Sequence, residues 1–280
     1  DRLLHAGAFN WTFTLGTGVM DPWTRGATAL IPAPDVTPDL IPLLLRRHEA
    51  TIFAAAPGVY RKMLRADLPP MPRLRHGLAA GEKLPEALRR TWRQVSGCEI
   101  YEAYGMSECS TFISGSPARP APAGTLGFAQ QGRKIALIGE NNTIAVHRDD
   151  PGLMLGYLDQ PAETAAKFDG DWFLTGDIGS QDASGAITYQ GRSDDMMNAG
   201  GTRVSPIEVE EALTTHPAIT EVAAAEVRPR ADLSLIAAFY VATDMIEDAD
   251  LTAHAAKTLA AYKMPRLFVR VDNLPRGANN

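Results

Sequence analysis

The chain has 280 residues, of which 45% are hydrophobic and 21% charged, with a formal net charge of −6 and an isoelectric point near 5.5. That length exceeds one typical domain and supplies ample apolar material, so one large domain or two are expected. The acidic balance argues against nucleic acid or an anionic membrane as the main partner, and no apolar run approaches the ~20 residues of a membrane span.

Residues 1–100 alternate helical and strand patterns. Residues 27–31 are a short strand-like run. Residues 39–47 carry Leu40, Ile41, Leu44 and Leu45 at helical spacing, which predicts an amphipathic helix. Residues 51–55 predict a strand and 59–64 a helix, broken by Pro69, Pro70 and Pro72. A strand follows over 76–80. A helix over 85–94 opens on Pro85 and Glu86, as a first turn should. Residues 99–104 predict another strand. Strands separated by helices imply a parallel α/β sheet, and such sheets take ligands beyond the carboxyl ends of their strands.

Two loops therefore stand out, one after Ala80 and one after Tyr104. The first, Gly81-Glu82-Lys83-Leu84-Pro85, reads as a turn into a helix. In the second, Gly105 permits a tight turn, and Ser107 and Glu108 offer hard oxygens suited to a phosphate and its Mg²⁺. Gly16-Thr17-Gly18 lacks a basic residue and is read as helix-packing glycines. Cys98 and Cys109 have no metal-ligand spacing, so two thiols in a reducing cytosol are expected, and no signal peptide is visible.

Residues 114–124 are rich in Pro, Ala, Gly and Ser and read as a loop. From 125 to 189 short strand patterns alternate with turn signals, which predicts a small β subdomain. Within it Thr175-Gly176-Asp177 is an Asp-bearing turn after an apolar strand. Beyond it Ser205, Pro206 and Glu208 fit a capping box, worth about 1 kcal/mol, at the start of a helix over 206–215. Arg192, Asp194 and Asp195 crowd three charges ahead of it, and Gly200-Gly201 allows positive φ or close approach of a ligand. On local physics this segment is a charged loop joining a strand to a capped helix. Strand-like runs follow at 219–227, 233–242 and 267–271, with a helix over 251–262.

The same segment, Gly191-Arg192-Ser193-Asp194-Asp195, then Gly200-Gly201, then Arg203-Val204-Ser205-Pro206-x-Glu208-Val209-Glu210, resembles the hinge motif of the adenylate-forming enzymes. These are the acyl-CoA synthetases, the adenylation domains of nonribosomal peptide synthetases and the luciferases. Tyr104-Gly105-x-Ser107-Glu108 and Thr175-Gly176-Asp177 resemble two further family motifs, and Pro151 to Tyr157 its Gly-Tyr turn. The resemblance implies that Tyr104 stacks on adenine, Ser107 holds the α-phosphate, and Glu108 serves Mg²⁺. It implies that Asp177 and Arg192 hold the ribose, and that Ala80, Gly81, Glu82 and Gly105 surround the nucleotide and the acyl group. Phe9 and Asn10 lie where many acyl-CoA synthetases carry an aromatic-His pair beside the acyl group, with Asn10 replacing the His. Gly200 and Gly201 would lie against the pantetheine arm of CoA, and Asp194 would be the pivot of the small domain.

The expected architecture is α/β. A parallel-sheet subdomain spans 1–120, a small β subdomain 121–192, and a small mobile α+β C-terminal domain 193–280. The expected activity of the parent protein is an acyl-CoA synthetase using ATP, Mg²⁺ and CoA on an aromatic or short- to medium-chain carboxylic acid, in the cytoplasm. The alternatives are an adenylation domain that loads a carrier protein, and a catalytically inert nucleotide-binding fragment. Leu274-Pro275-Arg276 resembles the start of a motif whose lysine would be the residue after Asn280. The family's phosphate loop, with its own lysine, is expected upstream of Asp1. These 280 residues are thus expected to be about the latter half of a family member, inactive in adenylation alone.

Overall fold

The computed structural model describes residues 1–199, 202–230 and 233–275. Arg2–His5 forms β1, which leads through Thr12–Leu15 (α1), a π-helical turn at Gly16–Met20 and Asp21–Thr24 (α2) to Thr28–Leu30 (β2). There follow Ile41–Arg47 (α3), Ile52–Ala55 (β3), Pro57–Met63 (α4), His76–Ala79 (β4), Glu86–Ser96 (α5), Glu99–Met106 (β5), Ser110–Ser114 (β6) and Phe128–Ala129 (β7). The seven strands form one sheet in the order β2-β1-β3-β4-β5-β6-β7. The first five run parallel, and β6 and β7 are antiparallel additions at one edge. The α/β expectation is met. Crossover helices bury both faces of such a sheet. Leu4, Phe53, Tyr60 and Trp92 fill one face, and Leu3, Phe13, Ala54 and Ala80 the other.

A second sheet takes Ile135–Ile138 (β8), Thr143–His147 (β9), Phe168–Asp169 (β10), Trp172–Gln181 (β11) and Ile187–Arg192 (β12), with Pro161–Ala166 (α6) between β9 and β10. Its order is β10-β11-β9-β8, and β12 pairs with β11. Met197–Ala199 (β13) and Thr202–Val204 (β14) pair antiparallel. Pro206–Thr214 (α7), Ile219–Arg230 (β15), Leu233–Ala242 (β16), Asp248–Ala255 (α8) and Leu267–Arg270 (β17) complete the chain. In that last sheet β16 is central, antiparallel to β15 and parallel to β17. Val209 and Leu213 of α7 and Leu251 and Ala255 of α8 pack on it. The chain divides into two compact units. One comprises Asp1–Leu137, Ala145–Thr175 and Ser180–Thr188; the other comprises Ile138–Ile144, Gly176–Gly179 and the chain from Tyr189 onward.

Four local expectations fail for identifiable reasons. Ser205 does precede α7, but its hydroxyl makes no cap. It donates instead to the Gln190 carbonyl at 2.5 Å. Glu208, the other half of the predicted box, is gripped by Lys263 Nζ at 2.5 and 2.7 Å. Tertiary partners have outcompeted the local motif, although a carboxylate in the first turn still suits the helix dipole. The helix predicted over 251–262 starts earlier, at Asp248, and ends at Ala255. Bonds of the i→i−3 type from Lys257 and Thr258 tighten the chain there and release it toward a 3₁₀ turn at Ala261–Lys263. Of the two glycines read as packing positions only Gly18 serves. A Cβ there would lie 2.8 Å from His5 Cβ, whereas one at Gly16 would meet nothing within 4 Å. Finally, β5 runs on through Tyr104 and Gly105 to Met106. Gly105 is required by crowding and not by a turn: a Cβ would sit 2.1 Å from the Ser110 carbonyl oxygen.

Candidate functional site

In the first unit, β5 and β6 make a hairpin whose tip is Ser107-Glu108-Cys109. Ser107 is exposed and Glu108 half-buried. Thr12 Oγ1 stands 3.3 Å from Ser107 Oγ. The Tyr157 hydroxyl donates to Glu108 Oε1 at 2.8 Å, and the Met154 N–H donates to the Glu108 carbonyl at 2.6 Å. Burial, followed by the adjacent Glu108 carboxylate, pushes the Tyr157 phenol up to about 12, so it stays protonated and donates. Tyr104 packs edge-on against Phe112, with ring centroids 5.2 Å apart. Behind the tip the Cys109 thiol is fully buried, and burial with the neighbouring Glu108 charge lifts its pKa to about 12.

The hairpin is held from below by a buried ion pair. Arg133 Nε reaches both Asp150 carboxylate oxygens, at 2.8 and 3.1 Å. Its two terminal nitrogens donate to the Thr111 and Cys109 carbonyls at 2.5 and 2.6 Å. The N–H groups of Lys134 and Gly152 donate to the same carboxylate at 2.6 and 2.8 Å. Burial alone would raise the Asp150 pKa. The guanidinium and these N–H donors outweigh it and hold the carboxyl below the usual range.

The loop after β4 keeps Gly81 at φ +96°, in the region that favours glycine. A Cβ at Gly81 would fall 2.7 Å from the Trp11 ring. Trp11, not Phe9, is therefore the aromatic against this loop; Phe9 and Asn10 are exposed. Ala80 is buried in the cluster with Leu3 and Phe13. Glu82 Oε1 accepts from the Gly58 N–H at 2.8 Å, which places the carboxylate at the N-terminus of α4.

In the second unit Asp177 is 7% exposed. Arg192 Nη1 stands 3.3 Å from Asp177 Oδ1, and Arg192 Nε donates to Asp194 Oδ1 at 2.9 Å. The guanidinium thus sits between two carboxylates. Gly176 at φ +81° turns the chain beside it and leaves no ordinary side-chain room: a Cβ would lie 3.1 Å from Arg192 Nη2. The Ser193 N–H closes the arrangement by donating to the Gly176 carbonyl at 2.8 Å. Burial and the Asp177 charge push the Tyr189 phenol up to about 12. Gly200 and Gly201 lie outside the described residues, as do Arg276 to Asn280 of the terminal motif.

The sequence description of AMP-binding enzymes matches residues 1–158, and that of the AMP-binding enzyme C-terminal domain matches residues 208–280. The chain belongs to the AMP-binding enzyme family. Among curated relatives of this AMP-binding enzyme is a benzoate-CoA ligase of Thauera aromatica, 35% identical over 99% of this chain and 56% of its own length. Among the solved structures that match over all of the chain are two complexes. One is the anthranilate CoA ligase AuaEII in complex with anthranoyl-AMP, at TM-score 0.86 and 29% identity over 57% of that chain. The other is ATP-bound MatB from Rhodopseudomonas palustris, at TM-score 0.89 and 27% identity over 58% of that chain. The chain spans about half the length of the curated relatives it matches.

Sequence reasoning passed over Thr12 and the role of Tyr157 as the donor to Glu108. The last had a signal, since Tyr157 follows Gly156 in a recognisable turn. The contact of Thr12 with Ser107 spans 95 positions and left no trace in local pattern.

Proposed function

We propose that the protein containing this chain is an AMP-forming acyl-CoA synthetase acting on an aromatic or short- to medium-chain carboxylic acid in the cytoplasm. The observation that carries the reading is the Asp177–Arg192 pair, a buried carboxylate and a guanidinium side by side, in a chain whose relatives are named as CoA ligases. A carboxylate with two oxygens accepts well from two vicinal hydroxyls, as a ribose offers. In the first step an acid oxygen attacks the α-phosphorus of ATP and pyrophosphate leaves, giving an acyl-adenylate. In the second the CoA thiolate attacks the acyl carbon and AMP leaves. Tyr104 stacks on adenine, Ser107 donates to the α-phosphate, and Asp177 with Arg192 fixes the ribose. Ala80, Gly81, Glu82 and Gly105 border the nucleotide and the acid, beside Phe9 and Asn10. Gly200 and Gly201 flank the pantetheine arm. The chain's contribution is positioning and charge placement.

Among the described residues no group of three or more His, Cys, Asp or Glu is disposed to hold a metal ion. Glu108 supplies one carboxylate, which fits Mg²⁺ carried mainly on nucleotide phosphates, where that ion characteristically sits. Bound there, Mg²⁺ would offset phosphate charge. Among the described residues no helix is long and apolar enough to cross a membrane.

The test is a panel of benzoates and of short- and medium-chain fatty acids, assayed with the full-length protein for AMP and for CoA thioester. AMP and thioester are expected in equal amounts from at least one acid. Transfer to a carrier protein with no CoA thioester would replace this reading with a carrier-loading one.

Asp194 is proposed as the pivot between the two half-reactions. Asp194→Pro fixes φ and is expected to impair adenylation and thioester formation unequally. Asp194→Ala, which loses the bond to Arg192 but keeps backbone freedom, is the control. Equal loss of both half-reactions in a folded Asp194→Pro variant would remove the pivot role.

A further inference from the structure

We infer that Tyr157 is a positioning residue that decides how Glu108 meets a cation. Its hydroxyl occupies one carboxylate oxygen and leaves the other as a single ligand, which selects a small octahedral ion over a larger one. The assignment rests on the reading above of Glu108 as the carboxylate that serves Mg²⁺. The turn from Pro151 to Tyr157 grips Glu108 at two points. The Tyr157 hydroxyl donates to Oε1 at 2.8 Å across 49 positions, and the Met154 N–H donates to the Glu108 carbonyl at 2.6 Å. Among the described residues Glu108 Oε2 takes no hydrogen bond. It is not among the side-chain atoms buried without a partner, so solvent reaches it. The turn is itself anchored. The Tyr157 N–H donates to Thr164 Oγ1 at 2.9 Å, and that hydroxyl donates to the Gln160 carbonyl at 3.0 Å. The Gln160 N–H returns a bond to the Tyr157 carbonyl at 3.1 Å. Leu155 and Leu158 on either side are exposed, whereas Tyr157 is half-buried against the hairpin.

The consequence is one of ligand number. A carboxylate with one oxygen already accepting a hydrogen bond offers a metal the other oxygen alone. Mg²⁺ demands near-ideal octahedral geometry and is served by single oxygens, whereas the larger Ca²⁺ accepts both oxygens of one carboxylate. The hydroxyl also fixes the carboxylate plane, which a long, half-buried side chain at a hairpin tip would otherwise have to order when the ion arrives. Partners that orient a metal-binding group in this way contribute about tenfold to a hundredfold in metal affinity. Without the hydroxyl, Glu108 is free to turn and present both oxygens to one ion.

The test is calorimetric binding to the full-length protein of α,β-methylene-ATP with Mg²⁺, the same analogue with Ca²⁺, and AMP in EDTA. Tyr157→Phe, which keeps the ring and loses only the hydroxyl, is expected to weaken the Mg²⁺ complex about tenfold. The Ca²⁺ complex should weaken less, so that the preference for Mg²⁺ narrows, and AMP affinity should stay unchanged. Thr164→Val removes the anchor of the Tyr157 N–H and is expected to shift the same ratio in the same direction; it decides the matter if Tyr157→Phe does not fold. Equal weakening of all three ligands would make Tyr157 a packing residue and overturn the inference, as would an unchanged ratio of Mg²⁺ to Ca²⁺ affinity. Glu108→Gln separates the inference from the reading beneath it. If Glu108→Gln leaves the Mg²⁺ complex unaffected, Glu108 serves no metal and the reading of that residue falls. If Glu108→Gln weakens it and Tyr157→Phe does not, the inference alone falls.

Discussion

Asp177→Ala in the full-length protein is expected to lower kcat/KM for ATP at least tenfold, about 1.4 kcal/mol, the scale of lost hydrogen bonds to a charged acceptor. The local fold should survive the change. Arg192 keeps its bond to Asp194, and the Ser193 N–H keeps the Gly176 carbonyl. The loss should therefore appear in nucleotide kinetics and not in thermal unfolding. Asp177→Asn is the sharper variant, since it keeps one acceptor and removes the charge. Unchanged ATP kinetics in a folded Asp177→Ala would take the residue out of the site.

The larger stability effect is expected at Asp150. Its side chain is fully buried, and that of Arg133 is 10% exposed. Asp150→Ala strands a guanidinium in the interior, a loss on the order of 3–5 kcal/mol. It also unties the Lys134 and Gly152 N–H groups. The sign with pH follows from the depressed carboxyl. The stabilisation is present above the unfolded-state value of about 3.9 and is lost as pH falls through the lower folded value. Urea unfolding of wild type and variant should thus differ most near neutrality and converge in strong acid. A gap that persists undiminished in strong acid would assign the loss to packing alone. Because Arg133 also holds the Thr111 and Cys109 carbonyls, the hairpin carrying Ser107 and Glu108 should loosen with it.

What the sequence disclosed, and what it hid, divides by the range of the interaction. The alternation of strands and helices before Tyr104 was readable because each element is written in its own residues. The Asp177–Arg192 contact bridges 15 positions, yet motif spacing pointed to both residues. The capping box failed because Ser205 and Glu208 found better partners at Gln190 and Lys263, which no local pattern encodes. Gly105 suggests a turn in sequence because a glycine's demand for space looks the same there as its demand for positive φ. Crowding by the Ser110 carbonyl is visible only once β6 is folded back on β5.

The Cys109 thiol has a practical use. It sits at the tip of the hairpin that carries Ser107 and Glu108, inaccessible and held in its unreactive protonated form. Alkylating reagents attack the thiolate, so modification in the native state must await a local opening that exposes this sulfur. When reclosing is fast, the labelling rate reports the equilibrium population of the opened hairpin. Cys98, buried far along the same sheet against the Leu74 carbonyl, supplies an internal reference for openings elsewhere. The ratio of the two labelling rates, read by mass spectrometry with and without nucleotide, would measure how much ligand tightens this one hairpin, with no probe introduced into the protein.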